Sequence, residues 1–320
     1  MSALFVSPLA RDLTAFITFK RALGQSYLRE IFRLRSLDRF AAQHAAERGG
    51  SRLDRVIPRW LSRPIDRKPR CIHRELSVAR QFCLFLRRRN PECFVPNHDL
   101  APPERRSARF LPYIFSAQEI RLLLRQTKSI KGPPFRNATF RMLLLVLYCT
   151  GLRSGEAVRL TLHDVDLRRR TFFVSHSKGK SRWVPFHSGL ARQLRNYLEE
   201  RLRIAPASSN SRLFAQPNGR GYNANAISIV IVRLLRRIGL KPSKGRIGPR
   251  PYDLRHSFAV HRLTRWYRAG VDLHAHLPWL SAYMGHDNLL GTETYLTATP
   301  ELLSVASRRF AVRFRRTEKL

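Results

Sequence analysis

Four side chains from position 153 onward are of the types needed to break and remake a phosphodiester. Tyr295 carries a phenol that can attack phosphorus. His286 stands shortly before it, in Met284-Gly285-His286. Arg153 lies in Thr150-Gly151-Leu152-Arg153-Ser154-Gly155-Glu156, and Arg255 in Tyr252-Asp253-Leu254-Arg255-His256. Phosphoryl transfer puts extra negative charge on the non-bridging oxygens, so cations already in place stabilise the transition state more than the ground state. Arginine matches two phosphate oxygens with one planar fork, and histidine adds a further donor. Glu156 follows Arg153 at the i, i+3 spacing of one helix face, which suits it to orient the guanidinium. Tyr252 and Arg255 share that spacing, so the Tyr252 phenol serves either as a phosphate donor or as a packing group. His256 is expected to point elsewhere, into the core or behind the site. Tyr267 and Tyr283 are the other candidate nucleophiles besides Tyr252, and Tyr283 sits in a core-like run. A phenol with an ordinary pKa near 10 needs a cationic pocket, or must lose its proton during attack.

A leaving 5′ oxygen needs a proton, and a lysine on a hairpin tip can bring one. Thr171-Phe172-Phe173-Val174 and Arg182-Trp183-Val184-Pro185 read as paired strands around His176-Ser177-Lys178-Gly179-Lys180-Ser181. Lys178 is the first candidate for the acid, and Lys180 is its rival.

The elements that must position these groups are mostly helical. Helical periodicity covers 12–23, 27–46, 53–61 and 72–88. The last of these carries Leu76, Ala79, Phe82, Cys83 and Leu86 on one face and Arg74, Arg80, Arg87 and Arg88 on the other, as candidate phosphate contacts. Residues 91–112 are rich in proline and hold Arg105, Arg106 and Arg109, so an extended basic linker is expected, with 98–115 as its core. Ser116-Ala117-Gln118-Glu119 opens the next helix as a capping box. Further helices are expected over 135–149, 190–204, 223–238, 254–268, 277–284 and 289–296, with a basic tail helix from Glu301 to about Phe314. The expected class is mainly α with a small β-hairpin (α+β). The expected domains are 1–97, helical and DNA-binding, and 116–320, catalytic. Lys180 and Arg182, beside the hairpin loop, join the expected DNA contacts.

Sixty Lys and Arg stand against 22 Asp and Glu, a net charge of +38, and self-repulsion on that scale points to a polyanionic partner. Charge alone also fits a structural RNA-binding protein, but that class does not call for the tyrosine, histidine and arginines described above. The four cysteines show no paired CxxC spacing, and the N-terminus has no charged region ahead of its apolar residues. Reduced thiols in a cytoplasmic protein, no metal and no membrane span are therefore expected.

At these residues the chain resembles the tyrosine recombinases, or phage-type integrases. The matching motifs are Thr-Gly-Leu-Arg-Ser-Gly-Glu, the Lys-Gly-Lys loop, Asp-Leu-Arg-His-Ser-Phe-Ala, Met-Gly-His and Tyr295, spread over about 116–299. The run Trp266-Tyr267-Arg268-Ala269-Gly270-Val271-Asp272 also looks like recombinases of insertion elements and transposons. The resemblance implies a C-shaped clamp on double-stranded DNA, built from a core-binding and a catalytic domain. It implies four protomers acting through a Holliday intermediate, with or without sister recombinases, and strand exchange by 3′-phosphotyrosyl links without metal or cofactor. It implies Arg153, Lys178, Arg255, His286 and Tyr295 as catalytic residues. It also implies a bacterial or archaeal, nucleoid-associated protein whose last helix docks on a neighbouring protomer. The family usually has histidine where this chain has Tyr252, which separates two outcomes: an active strand transferase, or a DNA-binding protein of the same fold with weak or lost turnover. Relaxation of supercoils in the manner of a type IB topoisomerase shares the chemistry.

Overall fold

A computed structural model describes residues 4–44, 52–63, 67–103, 112–177, 180–205, 207–245, 247–293, 295 and 296, and single positions at 304, 307, 311 and 314. The chain divides into two compact units, Met1–Phe110 and Leu111–Leu320.

Unit 1 is built from α1 (Ala10–Ala22), α2 (Leu28–Gln43), α3 (Leu53–Ser62) and α4 (Pro69–Arg87). The helical periodicity gathers Leu13, Phe16, Leu34, Leu37, Ile57, Trp60, Ala79 and Phe82 into one buried core. Phe16 sits at its centre, edge-on to Tyr27 at 5.5 Å and tilted against Phe82 at 5.6 Å between ring centroids. Pro69 at the start of α4 occupies the turn where its missing N–H costs nothing. Asp38, 2% exposed, accepts the backbone N–H groups of Val6 at 2.8 Å and Ser7 at 3.0 Å, and so ties the N-terminal segment down onto α2. The stretch expected to be fully extended contains a 3₁₀ turn at His98–Leu100. Arg105 and Arg106 lie outside the described residues.

Unit 2 begins with the capping box as expected. The Ser116 hydroxyl accepts the Glu119 N–H at 3.2 Å, the Glu119 carboxylate accepts the Ser116 N–H at 2.7 Å, and α5 (Ala117–Gln126) follows. Next comes α6 (Pro134–Thr150), apolar on nearly every face and therefore central, packed against α8 (Ser188–Ile204) and α10 (Asp253–Arg268). Between α6 and the sheet lies the single turn α7 (Ser154–Ala157). The hairpin is longer than its apolar residues suggested, with β2 (Thr171–Ser177) and β3 (Lys180–Pro185). A two-residue strand, β1 (Val165–Asp166), too short to leave a periodic signal, completes an antiparallel sheet in the order β1-β2-β3. α9 (Ala224–Arg237), α11 (Leu273–Met284) and α12 (Leu290–Glu293) complete the unit. α11 begins four residues earlier than expected, because Asp272 caps it by accepting the His274 N–H at 2.8 Å and Pro278 is carried inside the helix. The expected tail helix from Glu301 falls almost entirely outside the described residues. Among the described residues no helix is long and apolar enough to cross a membrane.

Gly151 closes α6 in the left-handed conformation at φ +63°, and a Cβ there would lie 2.5 Å from the Phe258 ring on α10. Only glycine meets both conditions, so the Thr-Gly-Leu turn can press directly against α10.

Asp38→Ala removes the acceptor of the buried Ser7 amide and of the amide of Val6, an exposed residue. It should lower the unfolding free energy by about 1–3 kcal/mol in urea titrations of the whole chain.

Candidate active site

The site is assembled where three chain ends converge: the turn after α6, the inward face of β3 and the C-terminus of α11. Gly285 ends α11 at φ +66°, and the carbonyls of Tyr283, Met284 and Gly285 there lack helical partners. Three guanidiniums take them up in turn. Arg182 donates from Nε to the Tyr283 oxygen at 2.8 Å, Arg255 from Nη2 to Met284 at 2.6 Å, and Arg153 from Nη2 to Gly285 at 2.8 Å. Cations at a helix C-terminus also complement its partial negative charge. Arg255 spans further, donating from Nη1 to the Gly151 carbonyl at 2.6 Å, so one side chain joins the ends of α6 and α11.

Glu156 is the counter-charge. Its carboxylate is 1% exposed and accepts Arg153 Nη1 at 2.7 Å. It also accepts a bidentate pair from Arg182, at 3.2 and 2.9 Å. The expectation that Glu156 orients Arg153 matches this geometry. Arg182, expected among the DNA contacts, has a side chain that is 12% exposed and donates to Glu156 and to the Tyr283 carbonyl. Strand parity explains this. Val174 pairs with Arg182 and Phe172 with Val184, and those three apolar side chains are buried, whereas Trp183 between them is 58% exposed. Gly285 belongs to the same arrangement, since a Cβ there would lie 2.7 Å from the Arg182 guanidinium.

Arg255 is 1% exposed, and its Nε has no hydrogen-bond partner among the described residues. Burial pushes its pKa below the usual arginine value, and the neighbouring Arg153 adds to this. Burial pulls Arg153 the same way, but the hydrogen bond and charge of Glu156 outweigh it and hold the pKa above the usual value. Tyr252 is 40% exposed and hydrogen-bonds the Arg153 side chain, so its phenol borders the arginines rather than packing in the core.

Tyr295 follows α12 and is 4% exposed, in a cluster with Phe258, Leu263, Leu277, Leu280 and Met284. Burial pushes its pKa up to about 12, although the nearby Arg255 opposes this through charge and hydrogen bonding. His286 lies alongside, its ring stacked on Tyr295 with centroids 6.2 Å apart and its Nδ1 2.6 Å from the Thr292 hydroxyl. The fold thus brings Arg153, Arg255, His286 and Tyr295 together, with Glu156 and Tyr252 beside them. Lys178 lies outside the described residues, and of Lys180 only the backbone, at the start of β3, is described.

Sequence reasoning gave His256 no part in the site beyond a place in the core or behind it, and its Nδ1 is 3.1 Å from the Tyr295 hydroxyl. The available signal was Asp253, at i, i+3 from His256 and so on the same helix face. On α4, Arg74, Arg87 and Arg88 are exposed as expected, with Arg88 stacked over Phe19 at 4.6 Å. Arg80 is only half-exposed and donates to the Pro96 carbonyl, so it fastens the segment after α4 as well.

Glu156→Ala would leave Arg153 and Arg182 without their shared anion. Unfolding followed by tryptophan fluorescence should show a loss of about 3–5 kcal/mol.

Residues 114–301 match the Phage integrase family. The putative integrase/recombinase y4rB of Sinorhizobium fredii is 32% identical over 97% of this chain and 99% of its own length. Tyrosine recombinase XerC of Lacticaseibacillus casei is 30% identical over 71% of this chain and 72% of its own. Among solved structures, the XerH recombinase in a post-cleavage complex with palindromic difH substrate has a TM-score of 0.64 at 18% identity, covering 87% of this chain and 77% of that one. The Tn1549 transposon integrase in complex with circular intermediate DNA has a TM-score of 0.63 at 19% identity, covering 93% of this chain and 99% of that one. At such identities the structural likeness speaks to the fold alone. Matched by the family over residues 114–301 and by a relative over nearly its whole length, the chain belongs to the phage integrase family of tyrosine recombinases.

Proposed function

We propose that this chain carries out site-specific DNA recombination, cutting and rejoining strands through a 3′-phosphotyrosine at Tyr295. The observation that carries this reading is the gathering of these groups at one helix end, where Arg255 and Arg153 hold the Met284 and Gly285 carbonyls and the next residue, His286, stacks on Tyr295. An unspent buried donor such as Arg255 Nε costs about 1–3 kcal/mol, and a phosphate oxygen would offset that cost. Arg153 and Arg255 then clamp the scissile phosphate, His286 donates to it, and the Tyr295 oxygen attacks phosphorus in line with the departing 5′ oxygen. Lys178 supplies the proton to that oxygen, and Glu156 and Arg182 hold Arg153 in place. Because both arginines are fixed by backbone carbonyls and a buried carboxylate, they need no reorganisation as charge develops.

Residues 1–97 act as the core-binding domain and 116–320 as the catalytic domain on double-stranded DNA, joined by the basic linker 98–115. Arg74, Arg87, Arg88, Arg105, Arg106 and Lys180 contact phosphates. Recombination proceeds in a tetramer on DNA, as a lambda integrase tetramer has been seen bound to a Holliday junction. The protein works in the cytoplasm, at the nucleoid. The mobile-element branch of the family is the reading that the run Trp266-Tyr267-Arg268-Ala269-Gly270-Val271-Asp272 supports.

Incubation with DNA carrying the target site, followed by denaturation without protease, should give a protein-linked DNA band that Tyr295→Phe abolishes. A plasmid with paired sites should yield recombined products rather than relaxed circles. A binding-only protein gives no band, and a topoisomerase-like enzyme relaxes plasmids without regard to site. In titrations of the salt concentration, log K should fall steeply with log salt, with a slope of about −0.9 per neutralised phosphate. Arg74→Ala and Arg88→Ala should each reduce that slope by about one.

A further inference from the structure

We propose that His256 accepts the proton of the Tyr295 hydroxyl during strand cleavage. The role rests on the recombinase reading above and adds a catalytic residue to it. His256 Nδ1 is 3.1 Å from the Tyr295 oxygen, the atom that attacks. On the far side of the ring, Nε2 faces Asp253 Oδ1 at 4.0 Å. Asp253 is 1% exposed and fixed by the backbone N–H of Arg250 at 2.7 Å and its Nη2 at 3.1 Å. The hydroxyl is within hydrogen-bond reach of one ring nitrogen and the carboxylate faces the other at ion-pair distance, so a base stands beside the attacking group with a negative charge behind it.

The neighbours leave this duty to His256. Where a proton acceptor is needed beside Arg255, the chain has Tyr252, whose phenol is bonded to Arg153. A phenol accepts a proton near neutral pH less readily than an imidazole. His286 has its Nδ1 engaged by Thr292. The Tyr252 ring stands edge-on to His256 at 5.0 Å and so shields the imidazole on that side.

The charged and titratable groups facing His256 are Asp253, Arg250 and Arg255 on or just before its own helix, with Tyr252, and Tyr295 from beyond α12. Burial pushes the imidazole pKa down to about 4, Arg250 and Arg255 reinforce this, and Asp253 opposes it. The ring is therefore neutral at pH 7, with a lone pair available on one nitrogen. The phenol does not ionise beforehand. It becomes acidic only as its oxygen bonds to phosphorus, and the incoming phosphate charge favours the imidazolium. In cleavage the Tyr295 O–P bond forms and the P–O5′ bond breaks. The phenolic proton passes to His256 Nδ1, and O5′ takes a proton from the general acid. In rejoining, O5′ attacks, the O–P bond to Tyr295 breaks, and His256 returns the proton to the phenol while the general acid recovers its own. Asp253 stabilises the imidazolium between the two steps.

The test is the single-turnover rate of adduct formation on a nicked suicide DNA duplex between pH 6 and 9.5. The proteins compared are the full-length chain, Tyr295→Phe, His256→Asn and His256→Ala. Absence of an adduct in the unaltered protein overturns the recombinase reading, and this proposal with it. With the adduct present and Tyr295→Phe inert, His256→Asn and His256→Ala should react about 10²–10⁴-fold more slowly at pH 7. Their rates should climb about tenfold per pH unit as hydroxide replaces the missing base, and added imidazole should speed His256→Ala. Rates equal to the unaltered protein, or a loss of the same size at every pH, overturn the proposal, since a residue that only holds the phenol produces no such slope. If both variants melt early, the folded parent chain still decides. ¹⁵N histidine spectra, with His256 assigned through its response to Tyr295→Phe, should show the proton on Nε2 and none on Nδ1. An Nδ1–H tautomer overturns the proposal.

Discussion

Everything at this site depends on three consecutive carbonyls at the end of α11 being held by three arginines from distant parts of the chain. Tyr283, Met284 and Gly285 accept from Arg182, Arg255 and Arg153 respectively. Without those partners the helix end would bury unpaired acceptors, and without the carbonyls the guanidiniums would be crowded cations with only Glu156 to balance them. Each requirement satisfies the other. His286 follows this helix end directly, and the Tyr295 segment follows soon after. The interaction that completes the fold therefore also sets the register of Tyr295 against the arginines.

The same arrangement decides the electrostatics. Arg153 keeps its charge because Glu156 outweighs burial, whereas Arg255 lies deeper and closer to the phenol, with less to offset its burial. Tyr295 is buried enough to be held up to about 12, so its resting state is the protonated phenol. In the role proposed for Tyr295 that is a safe state, because attack would require both a phosphate at the arginines and a place for the proton to go. Burial, which stabilises the fold through the cluster around Phe258 and Met284, thereby also keeps the tyrosine unreactive in the absence of substrate.

Unit 1 follows plainer physics. Its four helices bury one apolar face each, and Arg70, Arg74 and Arg87 on α4, with Arg88 just after it, are exposed and form a basic surface. Tethers such as Asp38 on the Val6 and Ser7 amides, and Arg80 on the Pro96 carbonyl, fasten its N-terminal segment and the segment after α4. Charge thus has two uses in this protein: inward in unit 2, where partners fix it, and outward on α4.

Much of this was legible in the chain of residues. Periodicity located nearly every helix, Ser116 and Glu119 announced a cap, and the apolar alternation of 171–174 and 182–185 announced the hairpin. The residue types at 153, 255, 286 and 295 stated the chemistry. Local rules fall short where the partner is remote. Arg182 carries a DNA-seeking charge, yet the parity it shares with Val184 turns it inward, and only the fold supplies Glu156 to receive it. His256 beside Arg255 looked like a bystander until the return of the chain set Tyr295 against it. The contacts that build the site join residues 101, 132 and 104 positions apart. The sequence by itself determined which groups exist and which elements carry them, because propensity, capping and alternation act over a few residues. Which cations are spent inside and which nitrogen meets the phenol was decided by tertiary packing alone, because no short-range rule knows where distant segments will meet.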